Sequence, residues 1–179
     1  MITKAFKVIG IAVFIPLFSF FSVAIFLPDE VKVDKKVEIE TPLINVFYLV
    51  NDFNEWKKWM PWTDTTVSLL INGGETGKGI DAMMLWVDNK EKVGARQIIK
   101  ADFLRLIVVE TCNAKEQSKS IMRFNFKELA SGNSELKITM KIDKRFSYPF
   151  GRYVAWMIQG SADESFEKAL ENIKTLAEK

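Results

Sequence analysis

The sequence predicts an α+β fold in which a curved antiparallel sheet of about seven strands surrounds a long C-terminal helix, preceded by one transmembrane helix. Three features carry this prediction. Residues 8–27 are apolar apart from two serines, residues 67–143 alternate between apolar runs and turn residues, and residues 149–177 repeat with helical periodicity. The long amphipathic helix is the element available to cover one face of the sheet.

The N-terminal apolar segment has the length of a membrane span. Residues 8–27 carry no charge, and a helix of that length rises about 30 Å, which matches the hydrocarbon core of a bilayer. Pro16 lies mid-span, where membrane helices tolerate it. We therefore predict an anchor over residues 1–28 and a soluble domain over residues 29–179.

Two lysines set the predicted orientation of this anchor. Lys4 and Lys7 precede the apolar run, whereas Asp29 and Glu30 follow it. Because positive residues favour the cytoplasmic side, we expect a cytoplasmic N-terminus and an extracytoplasmic domain.

A cleaved signal peptide is the competing interpretation of the segment. Residues 22–24 (Ser-Val-Ala) fit a small-x-small cleavage site. The apolar run continues through residues 25–27, however, and it exceeds the usual apolar core of about 7–15 residues in a signal peptide. A buried core helix is disfavoured because the run has no polar face. We therefore favour the anchor.

Composition excludes several functions. Of the 25 Lys and Arg residues only Lys4 and Lys7 precede residue 28, which leaves 23 to balance 23 Asp and Glu. A neutral domain without a basic cluster lacks the charge that nucleic-acid binding needs. The chain has no histidine, which excludes His-dependent catalytic triads and zinc sites of the usual Cys/His type. Cys112 is the single cysteine, so no intrachain disulfide exists, and we predict no metal and no cofactor.

The soluble domain begins with a predicted strand over residues 31–40, in which Lys35 interrupts the apolar face. Thr41 is then the predicted N-cap of a helix and Pro42 its first residue. A second short helix is predicted at residues 53–59. Six further strands are predicted at residues 67–71, 80–87, 95–101, 104–112, 120–129 and 134–143, with a hairpin turn at residues 130–133 and the long helix at residues 149–177.

At this point the chain resembles the START-like, Bet v 1-like "helix-grip" superfamily, specifically the SRPBCC or polyketide-cyclase-type families of bacteria. Four features in order carry the resemblance, over about residues 31–178: the strand entering a helix at residues 37–47, the tryptophan cluster at residues 56–62, Gly-Lys-Gly at residues 77–79, and the end of the terminal helix at residues 166–174. The resemblance implies a sheet that grips the C-terminal helix around an internal apolar cavity. Members bind lipids, sterols, polyketides and other hydrophobic molecules, and a few are enzymes.

Residues 77–82 also fit the pattern G-x-G-x-x-A, with Asp102 about twenty residues further on. A dinucleotide site needs this turn to open a helix inside a βαβ unit. A strand in a meander is predicted after it instead, so we reject a nucleotide site.

Two classes of candidate site residue remain. Glu110 and Arg123 lie within apolar strands, where an unpartnered carboxylate facing a cavity acts as an acid or base; cross-strand pairing on the solvent face is the simpler interpretation. Large apolar side chains are candidates to line a ligand cavity or to pack a solid core, and composition does not separate the two. With Glu110, the predicted ligand-binding set is Trp59, Trp62, Met84, Trp86, Phe124, Phe126, Met140, Trp156 and Met157.

The resulting expectation is a binding protein for a lipid or other small hydrophobic ligand, anchored through residues 8–27 in a bacterial inner membrane with its domain on the periplasmic side. We predict no catalytic residue. The alternatives are an enzyme of the cyclase or hydrolase type that acts through cavity carboxylates, and a packed structural or partner-binding module. Ligand identity and oligomeric state stay open.

Overall fold

The computed structural model describes residues 2–61, 68–72, 77–88, 91–113 and 118–179. Helix α1 (Ile2–Phe26) precedes strand β1 (Lys32–Ile39) and two short helices, α2 (Leu43–Asn51) and α3 (Phe53–Trp59). Six strands follow: β2 (Ser68–Asn72), β3 (Met83–Asp88), β4 (Glu91–Asp102), β5 (Leu106–Asn113), β6 (Ser118–Glu128) and β7 (Ser134–Ile142). Helix α4 (Phe150–Ala177) closes the chain. The α+β class and the element order agree with the sequence-based prediction.

All seven strands form one antiparallel sheet in the order β1-β7-β6-β5-β4-β3-β2. Strands β2 to β7 are a simple meander, and β1 closes the far edge by pairing with β7, with Val33 opposite Met140. Alternate residues point to one face, so Ile107 and Val109 of β5 are buried and share that face with Met122 and Phe124 of β6. This inner face carries the core.

Helix α4 covers the inner face through a stripe of buried residues, Phe166, Ala169, Leu170 and Ile173. On β1, Lys35 lies on the same face but is only partly buried. Its ammonium reaches α4 and pairs with Glu167 at 2.6 Å and Asp163 at 3.5 Å. The interruption of the apolar pattern at Lys35 is therefore a sheet-to-helix ion pair.

The N-terminus of α2 differs from the prediction by one residue. Pro42 is the N-cap residue, and no side chain caps the helix there. The Thr41 hydroxyl instead accepts a hydrogen bond from the side-chain amide of Asn45 at 3.0 Å, while the backbone carbonyl of Thr41 accepts one from the hydroxyl of buried Ser134 at 2.6 Å. Thr41 thus fastens α2 to the start of β7 and does not cap the helix.

Strand β3 begins later than predicted because residues 77–82 form a turn. Gly77 and Gly79 have φ values of 66° and 73°, and Asp81 has 67°. These left-handed conformations suit glycine and end any regular strand. The turn leads into β3, so the G-x-G-x-x-A pattern does not open a helix.

Most side chains of α1 lie outside the domain core. Phe14 and Phe18, for example, are 64% and 61% exposed. The helix is long and apolar enough to cross a membrane, and the candidate span is Ile9–Phe26. A core helix of the domain would be buried, so that interpretation does not apply.

Candidate functional site

Aromatic side chains fill the space beneath α3. Trp56 and Trp59 are fully buried, and each indole N–H donates to a carbonyl of α2, that of Val50 at 2.8 Å and that of Leu49 at 3.0 Å. Both rings pack on Phe124 in the middle of β6. Each indole N–H has its hydrogen-bond acceptor on α2, so both rings can be fully buried. They fill this half of the inner face as a solid core.

The other half of the inner face is open. A cavity of about 250 Å³ lies between strands β4 to β7 and residues 158–166 in the middle of α4. Its apolar wall comes from Met122, Met140, Ile158, Ala162 and Phe166. Its polar wall consists of Arg96, Thr111, Ser120, Ser161 and Ser165.

Arg96 is the charged group of this cavity. It lies on the inner face of β4, two residues before buried Ile98, with its guanidinium carbon 6.0 Å from the ring centre of Trp56. A terminal nitrogen also donates to the sulfur of Met60 at 3.5 Å. Burial lowers the pKa of Arg96 to about 10, so the side chain is still protonated at neutral pH.

Hydroxyl groups line the cavity together with Arg96. Thr111 shares the inner face of β5 with Val109, and its buried Oγ1 has no hydrogen-bond partner among the residues that the structure describes. Ser120 of β6 and two serines of α4 complete the set. A buried hydroxyl normally has a partner, so the cavity favours a guest with polar atoms.

The cavity lies at the end of the sheet that adjoins α1. Ser120 pairs with Ile142 across the β6–β7 ladder, and the amide of Ile142 donates to the carbonyl of Val31, just before β1. The amide of Phe146 donates to Asp29 at 2.8 Å. The cavity is therefore a few residues from the point where the chain leaves α1.

Some small residues of α4 at this end permit close packing against neighbouring segments, and another lines the cavity. A Cβ on Gly151 would come within 3.0 Å of the backbone of Phe146, so its size permits close packing. Ala155 is buried against Val31 and Phe146. Of the small residues in this helix, Ala162 lines the cavity.

Glu110 does not face this cavity. It alternates with the buried inner-face residue Val109 and therefore lies on the outer face of β5. Its carboxylate accepts a hydrogen bond from the thiol of Cys112 at 3.6 Å and pairs with Lys119 at 3.5 Å. Arg123, opposite Val108, also faces outward. The simpler interpretation, pairing on the outer face of the sheet, therefore fits Glu110, and its predicted place in the ligand cavity is corrected.

The remaining predicted ligand-binding residues are scattered. Trp59, Met84, Phe124 and Phe126 are buried in the core, and of the members whose side chains the structure describes only Met140 lines the cavity. Trp156 and Met157 are 58% and 68% exposed beside a shallow depression with Gln159, Gly160 and Asp163. Trp62 lies outside the described residues, as does the side chain of Trp86. Ligand binding by this set stays a prediction.

A second depression, of about 470 Å³, lies at the opposite end of α4 between α2 and Leu176. Asp52 borders it, accepts the hydrogen bond that starts α3 from the amide of Asn54, and pairs with Lys78 at 3.0 Å. These contacts satisfy Asp52 structurally. Among the described residues that line it, the depression has no unpartnered buried hydroxyl such as that of Thr111 in the cavity between sheet and helix.

No family model and no curated protein matches this chain. Solved structures do match it. A hypothetical protein of Helicobacter pylori aligns over 82% of this chain and 87% of its own, with a TM-score of 0.63 at 8% identity. A protein of Nitrosospira multiformis aligns over 82% and 95%, with a TM-score of 0.59 at 14% identity. The Aha1 protein of Colwellia psychrerythraea, whose structure is a dimer, aligns over 83% and 96%, with a TM-score of 0.58 at 11% identity. At these identities the likeness shows the fold alone, a Bet v 1-like arrangement of sheet and helix.

The cavity residues that the prediction missed had a detectable signal. Thr111 and Ser120 occupy inner-face positions of their strands, where neighbours of the same parity are apolar. Hydroxyls at such positions mark a place where the core opens. Arg96 shows the same signal on β4.

Proposed function

We propose that this protein is a membrane-anchored binding protein for a small hydrophobic ligand with a polar head, held between the sheet and α4. The observation that carries the proposal is the cavity lining, in which both the sheet and α4 contribute apolar side chains together with hydroxyls, and the sheet adds a guanidinium. A guanidinium only donates hydrogen bonds and a hydroxyl can donate as well as accept, so a head group that accepts, such as a carboxylate, phosphate or carbonyl, suits this lining.

The volume limits the ligand. At about 250 Å³ the cavity is slightly smaller than the roughly 300–1,000 Å³ of typical ligand pockets. It fits a compact amphiphile or one end of a longer lipid. The buried Trp56 and Trp59 fill the other half of the inner face, which leaves the end near α1 for the guest.

Membrane anchoring is the second part of the proposal. Residues 8–27 support it by length and composition, and the outward-facing side chains of α1 are consistent with lipid contact. The two lysines before the span favour a cytoplasmic N-terminus and a periplasmic domain. Membership of the SRPBCC family, proposed from the sequence resemblance, is compatible with the Bet v 1-like fold.

The enzyme alternative lacks a carboxylate in the right place. Among the described residues, no Asp or Glu lines the cavity, and Glu110 lies on the other side of the sheet. The binding hypothesis is favoured for that reason.

Lipid analysis of the purified full-length chain tests the proposal. We expect one class of amphiphile to co-purify with wild type and to be lost in Ser161→Trp, which places an indole at the partly exposed cavity rim. Glu164→Trp is the matched control, because Glu164 is exposed on the same helix away from the cavity wall. Equal lipid content in all three proteins contradicts binding in this cavity.

A further inference from the structure

The first half of α4 carries a cluster of exposed large apolar side chains. Between Arg145 and Asp163 the only charged residue is Arg152. The exposed members of this cluster are Phe150, Val154, Trp156 and Met157 of α4 and Tyr148 just before it, and together they are called the α4 apolar face. An apolar patch of this kind on a protein surface marks a contact with another phase or molecule.

This face is bonded directly to α1. The hydroxyl of Tyr153 donates to the carbonyl of Phe20 at 2.8 Å, and their rings stack with centres 4.6 Å apart. The hydroxyl of Tyr148 donates to the carbonyl of Phe21 at 2.9 Å. Phe150 adds a ring contact to Phe20 at 5.3 Å.

These contacts fix the depth of α4 along the candidate span. Phe20 lies six residues before the end of α1 at Phe26, which corresponds to about 9 Å along the helix axis. The apolar run is only just long enough to cross a bilayer, so Phe20 cannot lie outside the lipid if the run crosses. Residues in contact with Phe20 must then enter the same leaflet.

On the basis of the proposed anchoring of α1, we infer that the α4 apolar face inserts into the outer leaflet of the membrane as a second, interfacial contact. The chemistry of the face suits this place. Tyr148, Tyr153 and Trp156 are the side chains that concentrate where acyl chains meet headgroups, and Lys144 and Arg145 stand just before them to meet lipid phosphates. The occupant is a lipid surface, because the face continues the lipid-facing surface of α1.

Insertion also explains the position of the cavity. Ile158, Ser161 and Ala162 of the cavity wall follow the α4 apolar face within one or two turns of helix. A lipid in the outer leaflet then lies next to the cavity without crossing water. The membrane then supplies the ligand at the end of the sheet that adjoins α1, where the cavity lies.

Nitroxide accessibility in nanodiscs tests the inference on the full-length chain with Cys112→Ser. Labels at Phe150→Cys and Met157→Cys are expected to collide several-fold more often with oxygen, relative to a water-soluble nickel chelate, than a label at Glu171→Cys. Glu171 is exposed on the charged half of α4 and is the control. Val13→Cys reports on the span itself.

The outcomes separate the two claims. Lipid accessibility at residue 13 with water accessibility at residues 150 and 157 overturns insertion and leaves the anchor intact. Water accessibility at all three positions overturns both. Protection of 150 and 157 from both reagents overturns lipid contact, because a protein surface then covers them. Brominated lipids give an independent check without cysteine: Trp156→Phe is expected to remove a quenched component of the fluorescence, and unchanged quenching overturns insertion.

Discussion

Arg152 holds the end of α1 against the domain. One of its terminal nitrogens donates to the carbonyls of Ile25 at 3.1 Å and Leu27 at 2.8 Å. Carbonyls at a helix C-terminus have no partner within the helix, and a cation there also meets the negative end of the helix dipole. Arg152→Met keeps the aliphatic stem and removes both bonds. A hydrogen bond from a charged group contributes about 1.5–3 kcal/mol, and the exposed bond to Ile25 adds little, so we expect a loss of about 2 kcal/mol, mainly from the part-buried bond to Leu27.

Amide exchange measures this loss. The amide of Phe146 donates to Asp29 across the same junction, so it exchanges when α1 separates from the domain. A loss of about 2 kcal/mol corresponds to a fall of roughly 30-fold in the protection of that amide. Arg105→Met is the matched control, since Arg105 is exposed on the β4–β5 turn far from α1. Unchanged protection in Arg152→Met refutes the role assigned to the guanidinium.

Three further perturbations have outcomes that the structure fixes. Trp59→Ala is expected to lower the free energy of unfolding by about 3–5 kcal/mol because the indole is 1% exposed. Trp156→Ala, measured in detergent, is expected to change the same free energy by less than about 0.5 kcal/mol. Equal effects of the two substitutions in urea titrations followed by circular dichroism contradict the assignment of Trp59 to the core. Hydrogen bonds from Lys141 and Lys32 hold the pKa of Glu30 at about 2 against an ordinary 4.5, so its contribution to stability is present above pH 4.5 and lost as the pH falls towards 2. In Glu30→Gln the free energy of unfolding is expected to depend less on pH between 4.5 and 2. The same pH dependence in the variant and in wild type disproves this role. The hydrogen bond to Glu167 raises the pKa of Lys35, and a double-mutant cycle between the two is expected to show a favourable coupling. Additive effects of the two substitutions mean that the pair is incidental.

Periodicity predicted the fold well because each element has one apolar side. Alternation in β7 and the helical stripe of α4 gave both elements within a residue of their observed ends. The short helix Phe53–Trp59 was predicted with its bounds. The start of β3 was not, because the turn before it depends on left-handed backbone at Asp81, which apolar patterning does not report.

The site was predicted less well because large apolar residues fill space as readily as they line it. Trp59 and Phe124 looked suitable for a cavity and instead complete the core, since α3 folds its tryptophans down onto the sheet. Trp156 and Met157 are also large apolar residues, but they lie on the surface of the domain, where α4 passes α1. Only contacts between distant elements decide such cases. Small polar residues on apolar faces, such as Thr111, were the better indicators.

Photo-cross-linking with a diazirine-bearing phospholipid, mapped by mass spectrometry on the full-length chain in nanodiscs, tests the central claim most directly. Binding between sheet and α4 predicts adducts on Met122, Met140 and Ile158, lost in Ser161→Trp and kept in Glu164→Trp. Adducts confined to α1 and the α4 apolar face, with none on the cavity wall, contradict ligand binding in the cavity.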